Sequence, residues 1–164
     1  VTAKTQEHER IVTAKTRKRE KEKTESGDTA TDDLRRVPVA LEFDDLSHQV
    51  IGAAITVHKT LGPGFLESIY EEAFCLELAA RQIPFERQKP VSILYNGHVI
   101  GEHRLDVFVA GCLIVELKAV KKLEDIHLAT VLSYLKATNC GLGLLLNFAS
   151  PILDIRRIVR KPLP

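Results

Sequence analysis

Asp106, Glu116 and Lys118 are the residues whose types and spacing could do chemistry. They lie in HRLDVFVAGCLIVELKAVKK, residues 103–122. This stretch alternates apolar and polar on both sides of Ala110-Gly111, the period-two signature of strands with one buried face. If Val109 pairs with Leu113, then Leu105, Val107, Val109, Leu113, Val115 and Leu117 share one wholly apolar face. The opposite face carries Arg104, Asp106, Phe108, Ile114, Glu116 and Lys118, with Asp106 across from Glu116 and Arg104 across from Lys118. A slip of one residue would turn every side chain over and mix the faces. The spacing therefore predicts a three-residue loop or a bulge, with Gly111 at positive φ.

Two carboxylates directly opposite each other are destabilising unless something stands between them. A hard divalent cation such as Mg²⁺ binds through one or two carboxylates plus water and phosphate oxygens. An ammonium two residues beyond Glu116 points to the same face, where it can orient an attacking water and offset charge at a phosphate. The alternative needs no metal: Asp106 and Glu116 pair diagonally with Arg104 and Lys118 on an exposed sheet face, each pair worth about 0.2–1 kcal/mol.

Asp106 followed by Glu116-x-Lys118 resembles the D…E-x-K core of the PD-(D/E)xK nuclease superfamily. Upstream, Gly64-Phe-Leu-Glu67-Ser-Ile-Tyr70 resembles the G-x-x-E-x-x-Y signature of a family of small prokaryotic proteins assigned to that superfamily. Gln88, Tyr95, Ile114 to Val120, His127 with Tyr134-Leu135-Lys136, and Gly143 to Phe148 extend the resemblance, which runs from about Leu46 to Val159. Where the family usually reads H-x-A-Q, this chain reads His127-Leu-Ala-Thr130.

The resemblance implies an α/β fold of restriction-endonuclease type: an αβββαβ core with a mixed sheet flanked by helices. It also implies a nuclease that hydrolyses phosphodiester bonds in DNA or RNA. Asp106 and Glu116 would hold Mg²⁺ or Mn²⁺, Lys118 would act on the attacking water, and Glu67 would assist as an outer ligand or hydrogen-bond partner. For Glu67 the plainer reading is a first-turn acid favoured by the helix dipole. Tyr70, His127, Thr130 and Tyr134 are candidate accessory residues, Tyr70 being read first as a packing residue with a tethered hydroxyl. An alternative function is a nuclease-fold module, weak or inactive in catalysis, that binds nucleic acid or a protein partner.

Local patterning predicts the elements that must position these groups. A helix begins at Asp44 and buries Leu46, Val50, Ala54, Val57 and Leu61, and Gly62-Pro63-Gly64 stops it. A second helix, from about Leu66 to Arg81, buries Leu66, Ile69, Ala73 and Phe74. Phe85 to Tyr95 reads as a strand closed by Asn96-Gly97, a two-residue hairpin signal. A helix from about Leu123 to Thr138 turns Leu128, Val131, Leu132 and Leu135 to the core and leaves His127, Thr130 and Tyr134 as a polar stripe. The apolar run from Gly141 to Phe148 fits a strand buried on both faces and parallel to the E-x-K strand. Ile155 to Arg160 fits an outer strand.

With 164 residues and 45% hydrophobic content, the chain has room for one domain with a core and little else. Residues 1–36 are rich in Lys, Arg, Glu and Thr, repeat Val-Thr-Ala-Lys-Thr at Val1 and Val12, and are expected to be a disordered or frayed-helical extension of a domain spanning residues 37–164. The chain starts at Val1 and holds no Met, which fits a fragment, a non-ATG start or an over-extended gene reading, so no function is built on this segment. Absence of a long apolar run or a signal-peptide core makes a cytoplasmic protein without membrane contact the default. Cys75, Cys112 and Cys140 are expected to be reduced. From Val37 onward 13 basic residues face 14 acidic ones, so the domain has no global positive field for a polyanion. Lys121 and Lys122, and separately Arg156 and Arg157 with Arg160 and Lys161, are the local candidates for nucleic-acid contact.

Overall fold

A computed structural model describes residues 39–160, with side chains from Asp44 onward; the extension over residues 1–36 and Lys161 lie outside the described residues. The order is α1 (Val39–Leu61), α2 (Glu67–Ala80), β1 (Phe85–Tyr95), β2 (His98–Val109), β3 (Leu113–Lys118), α3 (Asp125–Thr138), β4 (Leu142–Asn147) and β5 (Asp154–Val159).

Two turns set the register of the first three strands. Asn96 and Gly97 take φ of 48° and 79°, so β1 and β2 close as a two-residue hairpin whose backbone twist suits the strands. Between β2 and β3, Val109 pairs with Leu113, Phe108 with Ile114 and Val107 with Val115, the register that the apolar alternation predicts. Both Ala110 and Gly111 of the intervening loop are left-handed. Ala110 accepts that conformation while its N–H donates to the Pro84 carbonyl at 2.8 Å, and the Cys112 N–H closes the turn on Val109 at 3.1 Å.

The β2–β3 ladder ends at Val107 and Val115, so neither Asp106 and Glu116 nor Arg104 and Lys118 form the expected pairs in it; Arg104 pairs with Pro90 of β1. Beyond that point β3 continues only with β4, in parallel, from Leu113↔Leu142 to Lys118↔Asn147. α3 supplies the crossover that a parallel pair requires. β5 adds antiparallel to β4, and the mixed sheet runs β1-β2-β3-β4-β5. This is the expected mixed sheet with flanking helices.

Each face of the sheet has its own core. On one, Val50, Ala54, Val57, Tyr70, Phe74 and Leu78 of α1 and α2 pack on Val107, Val109, Leu113, Val115, Leu117, Leu144 and Leu146. On the other, Val131, Tyr134 and Leu135 of α3 pack on Phe108, Ile114, Leu145 and Leu105. Leu105 therefore leaves the face of Val107 that strict alternation assigns to it. The break falls at Asp106, opposite which Gln88 has φ of 50° and drops out of the β1–β2 ladder.

The helices differ from expectation in start and rotation. α1 begins at Val39 rather than Asp44, and Asp44 instead meets Arg157 of β5 at 2.5 Å. In α2 the buried row is Tyr70, Phe74 and Leu78, while Leu66 and Ile69 are exposed. The Tyr70 hydroxyl donates to Gly62 O at 2.6 Å and accepts from Phe65 N–H at 3.2 Å. With its polar tip satisfied, the ring can be buried against Phe148, stacked at 4.7 Å. In α3, Tyr134 is buried and Leu132 is exposed, an exchange possible for the same reason: Tyr presents an apolar ring with a polar end. Cys75 is buried, Cys112 and Cys140 are half-buried, and none forms a disulfide. No helix among the described residues is long and apolar enough to cross a membrane.

α3 crosses β4 closely at Gly143, where an added Cβ would lie 2.6 Å from Val131 Cγ1. A β-branched side chain on a helix has essentially one rotamer and cannot swing aside. Gly143→Ala should therefore cost about 1–3 kcal/mol in urea unfolding, and that cost should shrink towards zero in a Val131→Ala background.

Candidate active site

Where β2 and β3 part, a side chain takes over from the ladder. Asp106 Oδ2 accepts the Leu117 N–H at 2.9 Å, a bond that the next backbone carbonyl of β2 would otherwise have offered. On β3, Glu116 is almost wholly buried, with its side chain 5% exposed, and Lys118 beside it is 17% exposed. The Lys118 ammonium donates to Glu116 Oε1 at 2.8 Å and to the Leu117 carbonyl at 2.8 Å, and reaches Glu67 Oε1 at 3.5 Å. Glu67 comes from the first turn of α2, and its other oxygen accepts the Ala119 N–H at 3.3 Å. The Gly62–Phe65 loop pinned by Tyr70 fixes the point at which this turn starts. Buried Asn147 holds the far side: its Oδ1 accepts from Val120 N–H at 3.0 Å and its Nδ2 donates to Val120 O at 2.8 Å. The chain is thereby clamped just after Lys118.

Three carboxylates, Glu67, Asp106 and Glu116, surround one ammonium. Burial raises the pKa of Asp106, with Glu67 and Glu71 adding to it and the Leu117 N–H and Lys118 opposing it. Burial and the neighbouring Asp106 push Glu116 up to about 7 against the pull of Lys118. Burial alone would lower the Lys118 pKa, but Glu116, Glu67 and Asp106 together raise it, so the amine stays an ammonium. Tyr134 is drawn into the same field: burial, then Glu116 and Asp106, move its hydroxyl up to about 12.

The remaining candidates fall at varying distances from this centre. Tyr70 serves the Gly62–Phe65 loop and the core, not the carboxylates. His127 Nδ1 accepts the Glu124 N–H at 3.0 Å and forms half of a capping box at the start of α3. Thr130 Oγ1 donates back to Ile126 O at 2.9 Å, within its own helix. Tyr134 touches His103 edge-on at 5.1 Å. Lys121 and Lys122 are exposed, three and four residues beyond Lys118. Arg156 and Arg157 do not form one patch, because successive strand residues face opposite sides. Arg156 pairs with Asp154 at 3.1 Å, Arg157 with Asp44, and Arg160 donates to the Leu135 carbonyl at 3.1 Å.

Pattern reading missed Glu71 and gave Gln88 no role. Glu71 is 7% exposed, bonded to Arg87 Nε at 2.5 Å and to Gln88 Nε2 at 2.9 Å, and Arg87 also pairs with Glu72. Gln88 Nε2 in turn reaches Asp106 Oδ1 at 3.5 Å. A buried acid in a row of Glu-Glu-Ala-Phe carries no periodic signal. Gln88, opposite Asp106 on the partner strand, and Arg87 beside it were the available clue.

Among the described residues no group of three or more His, Cys, Asp and Glu converges as a ready ligand set. The donor chemistry nevertheless fits a hard divalent cation. Glu116 Oε2 is buried and accepts no hydrogen bond, and Asp106 can bond Glu116 only when one of the two carboxyls holds a proton, an arrangement costly for a pair of carboxylates. Each oxygen of Asp106 accepts a single hydrogen bond, which leaves lone pairs free on both. Two carboxylates completed by water or phosphate oxygens are the ligation that Mg²⁺ or Mn²⁺ takes, and too few for a protein-only cage.

The model of the PD-(D/E)XK nuclease superfamily matches residues 44–158, more than half of the chain. Comparison with curated proteins and with solved structures gives no match.

The raised pKa of Glu116 has a signed consequence. Between its ordinary value of 4.5 and about 7 the folded state holds a proton that the unfolded chain has released. Glu116 thus makes stability fall as pH rises through that window and level off above it. Thermal unfolding of the parent and of Glu116→Gln from pH 5 to 8 should show the variant gaining on the parent as pH rises, by on the order of 1–3 kcal/mol. Parallel curves would mean that Glu116 ionises like an exposed carboxylate.

Proposed function

The chain belongs to the PD-(D/E)XK nuclease superfamily, and from that premise we propose that it is a metal-dependent nuclease cutting phosphodiester bonds in DNA or RNA. The superfamily generally hydrolyses such bonds, and the mixed sheet with flanking helices is its restriction-endonuclease-like fold. Within it, the Gly64-x-x-Glu67-x-x-Tyr70 sequence supports assignment to the G-x-x-E-x-x-Y family of prokaryotic proteins. The match over residues 44–158 supports a nuclease domain there; we place its start near residue 37 and its action in the cytoplasm.

The observation that carries the reading is Glu116 itself: one oxygen on the Lys118 ammonium, the other buried and unpartnered, with Asp106 beside it. With all four groups ionised, three carboxylates around one ammonium lack two positive charges. Asp106 and Glu116 are the residues that would hold Mg²⁺ or Mn²⁺, which when bound supplies Lewis acidity at the phosphoryl oxygen and charge neutralisation. Lys118, kept protonated by its neighbours, orients the attacking water and stabilises charge on the phosphate as a donor rather than as a base. Glu67, 42% exposed at the open side of the ammonium, accepts a hydrogen bond from that water. Exposed Lys121 and Lys122 follow directly and suit phosphate contact beyond the scissile bond. In a near-neutral domain they would give a shallow salt dependence.

A second reading rests on Thr130, whose hydroxyl is committed to Ile126 O and is shorter than the glutamine usual in the family. Such a chain would bind without cutting.

Calorimetry with Mn²⁺ should detect binding that Asp106→Ala or Glu116→Ala abolishes; unchanged binding in both variants removes the ligand assignment. In cleavage assays with Mn²⁺, Lys118→Ala should lose at least about 100-fold in rate, the scale of removing one transition-state donor, while Thr130→Gln should fold normally and cut as fast as the parent or faster. Full cleavage in Lys118→Ala would refute its role. No cleavage by either the parent or Thr130→Gln would favour the binding module.

A further inference from the structure

Gln88 occupies a backbone conformation that its type does not favour. Its φ of 50° lies in the left-handed region, which glycine enters freely and a residue with a Cβ enters at a cost. Arg87 pairs with Val107 and Lys89 with Leu105, but Gln88, opposite Asp106, forms no ladder pair. Strain of this kind, held by its surroundings, is a pointer to a functional constraint on the side chain.

That side chain is bracketed by carboxylates. Nε2 lies 2.9 Å from Glu71 Oε2 and 3.5 Å from Asp106 Oδ1. Ionised carboxylates only accept, so the two of them fix the amide orientation: the NH₂ end, with its two hydrogens, must face both. Glu71 is held in turn by Arg87, which also binds Glu72. Arg87 thus neutralises Glu71 and ties β1 to α2. At the other end, Asp106 has one oxygen on the Leu117 N–H. A single bond leaves a carboxylate free to rotate, whereas a second donor on the other oxygen sets its plane.

We propose that Gln88 is a positioning residue for Asp106: its amide, oriented by the Glu71–Arg87 pair, sets the carboxylate plane so that the remaining lone pairs face Glu116. The use of that geometry for a cation rests on the nuclease reading above, but the positioning itself does not. Left-handed backbone supplies the means, since it lifts residue 88 out of the ladder and lets its amide lie between α2 and β2. A carboxylate at this position could not donate, and an alanine would keep the strain without the bond.

The test is Gln88→Gly, which suits the backbone and removes the side chain, with Gln88→Glu as a second variant that keeps its size but not its donors. Two readouts separate the claims. Hydrogen exchange of the Leu117 amide in metal-free protein should speed up by tenfold or more in both variants, while the thermal midpoint of Gln88→Gly stays level or rises. Mn²⁺ affinity of Gln88→Gly should fall about 10–100-fold, the usual effect of removing a group that orients a ligand. If Leu117 exchange in Gln88→Gly matches the parent, the positioning role is overturned; unchanged Mn²⁺ affinity alongside faster exchange overturns the claim that the geometry set by Gln88 serves a cation. A parent chain that binds no Mn²⁺ yet shows the exchange difference supports the positioning role and overturns the cation reading instead.

Discussion

The bond from the Leu117 N–H to the Asp106 carboxylate is the constraint on which the rest of this architecture turns. An antiparallel ladder could have continued along β2 and β3, which would have set both carboxylates directly opposite each other on one sheet face. Instead the ladder closes at Val107 and Val115, and a side-chain oxygen satisfies the next amide. The strands can then diverge without leaving a buried N–H unpaired, a loss that would cost about 1–3 kcal/mol. Divergence opens the space into which Lys118 and Glu67 converge, and it leaves β3 to carry on with β4 alone.

That opening concentrates charge in a place poorly suited to it. Burial works against both carboxylates and against the ammonium, and the balance is settled by numbers: three acids favour one cation more than one cation favours three acids. Lys118 accordingly stays charged while Glu116 is moved towards neutrality. A cluster selected for stability alone would replace such groups with apolar residues of similar volume. Their presence here is in keeping with a superfamily of phosphodiester hydrolases.

Around the cluster, polar atoms of otherwise buried residues do the fixing. Tyr70 ties the Gly62–Phe65 loop and so sets the start of α2; Asn147 ties Val120 and so sets the exit from β3. Glu71 and Gln88 tie α2 to β2. The Asn147, Glu71 and Gln88 contacts join residues distant in sequence and hold a catalytic candidate from outside its own element, which is how rigid positioning of a site is ordinarily achieved.

Much of this was legible from the chain alone, wherever the governing physics is local. Alternation around Ala110-Gly111 determined the β2–β3 register, because a one-residue slip would have set apolar side chains against charged ones and mixed the two faces. Asn96-Gly97 determined a two-residue hairpin, because few residue pairs accept two consecutive positive φ angles. The uninterrupted apolar run at Leu142–Leu146 determined a strand buried on both faces, and the D…E-x-K spacing pointed to the superfamily. What only the tertiary structure decided is set by partners distant in sequence. The rotation of α2 follows from Tyr70 finding Gly62 and Phe148, and burial of Tyr134 in place of Leu132 follows from α3 packing on the sheet. The break in alternation at Leu105, and with it the whole geometry of Asp106, depends on a left-handed Gln88 and a carboxylate bond to Leu117, neither of which any residue periodicity encodes.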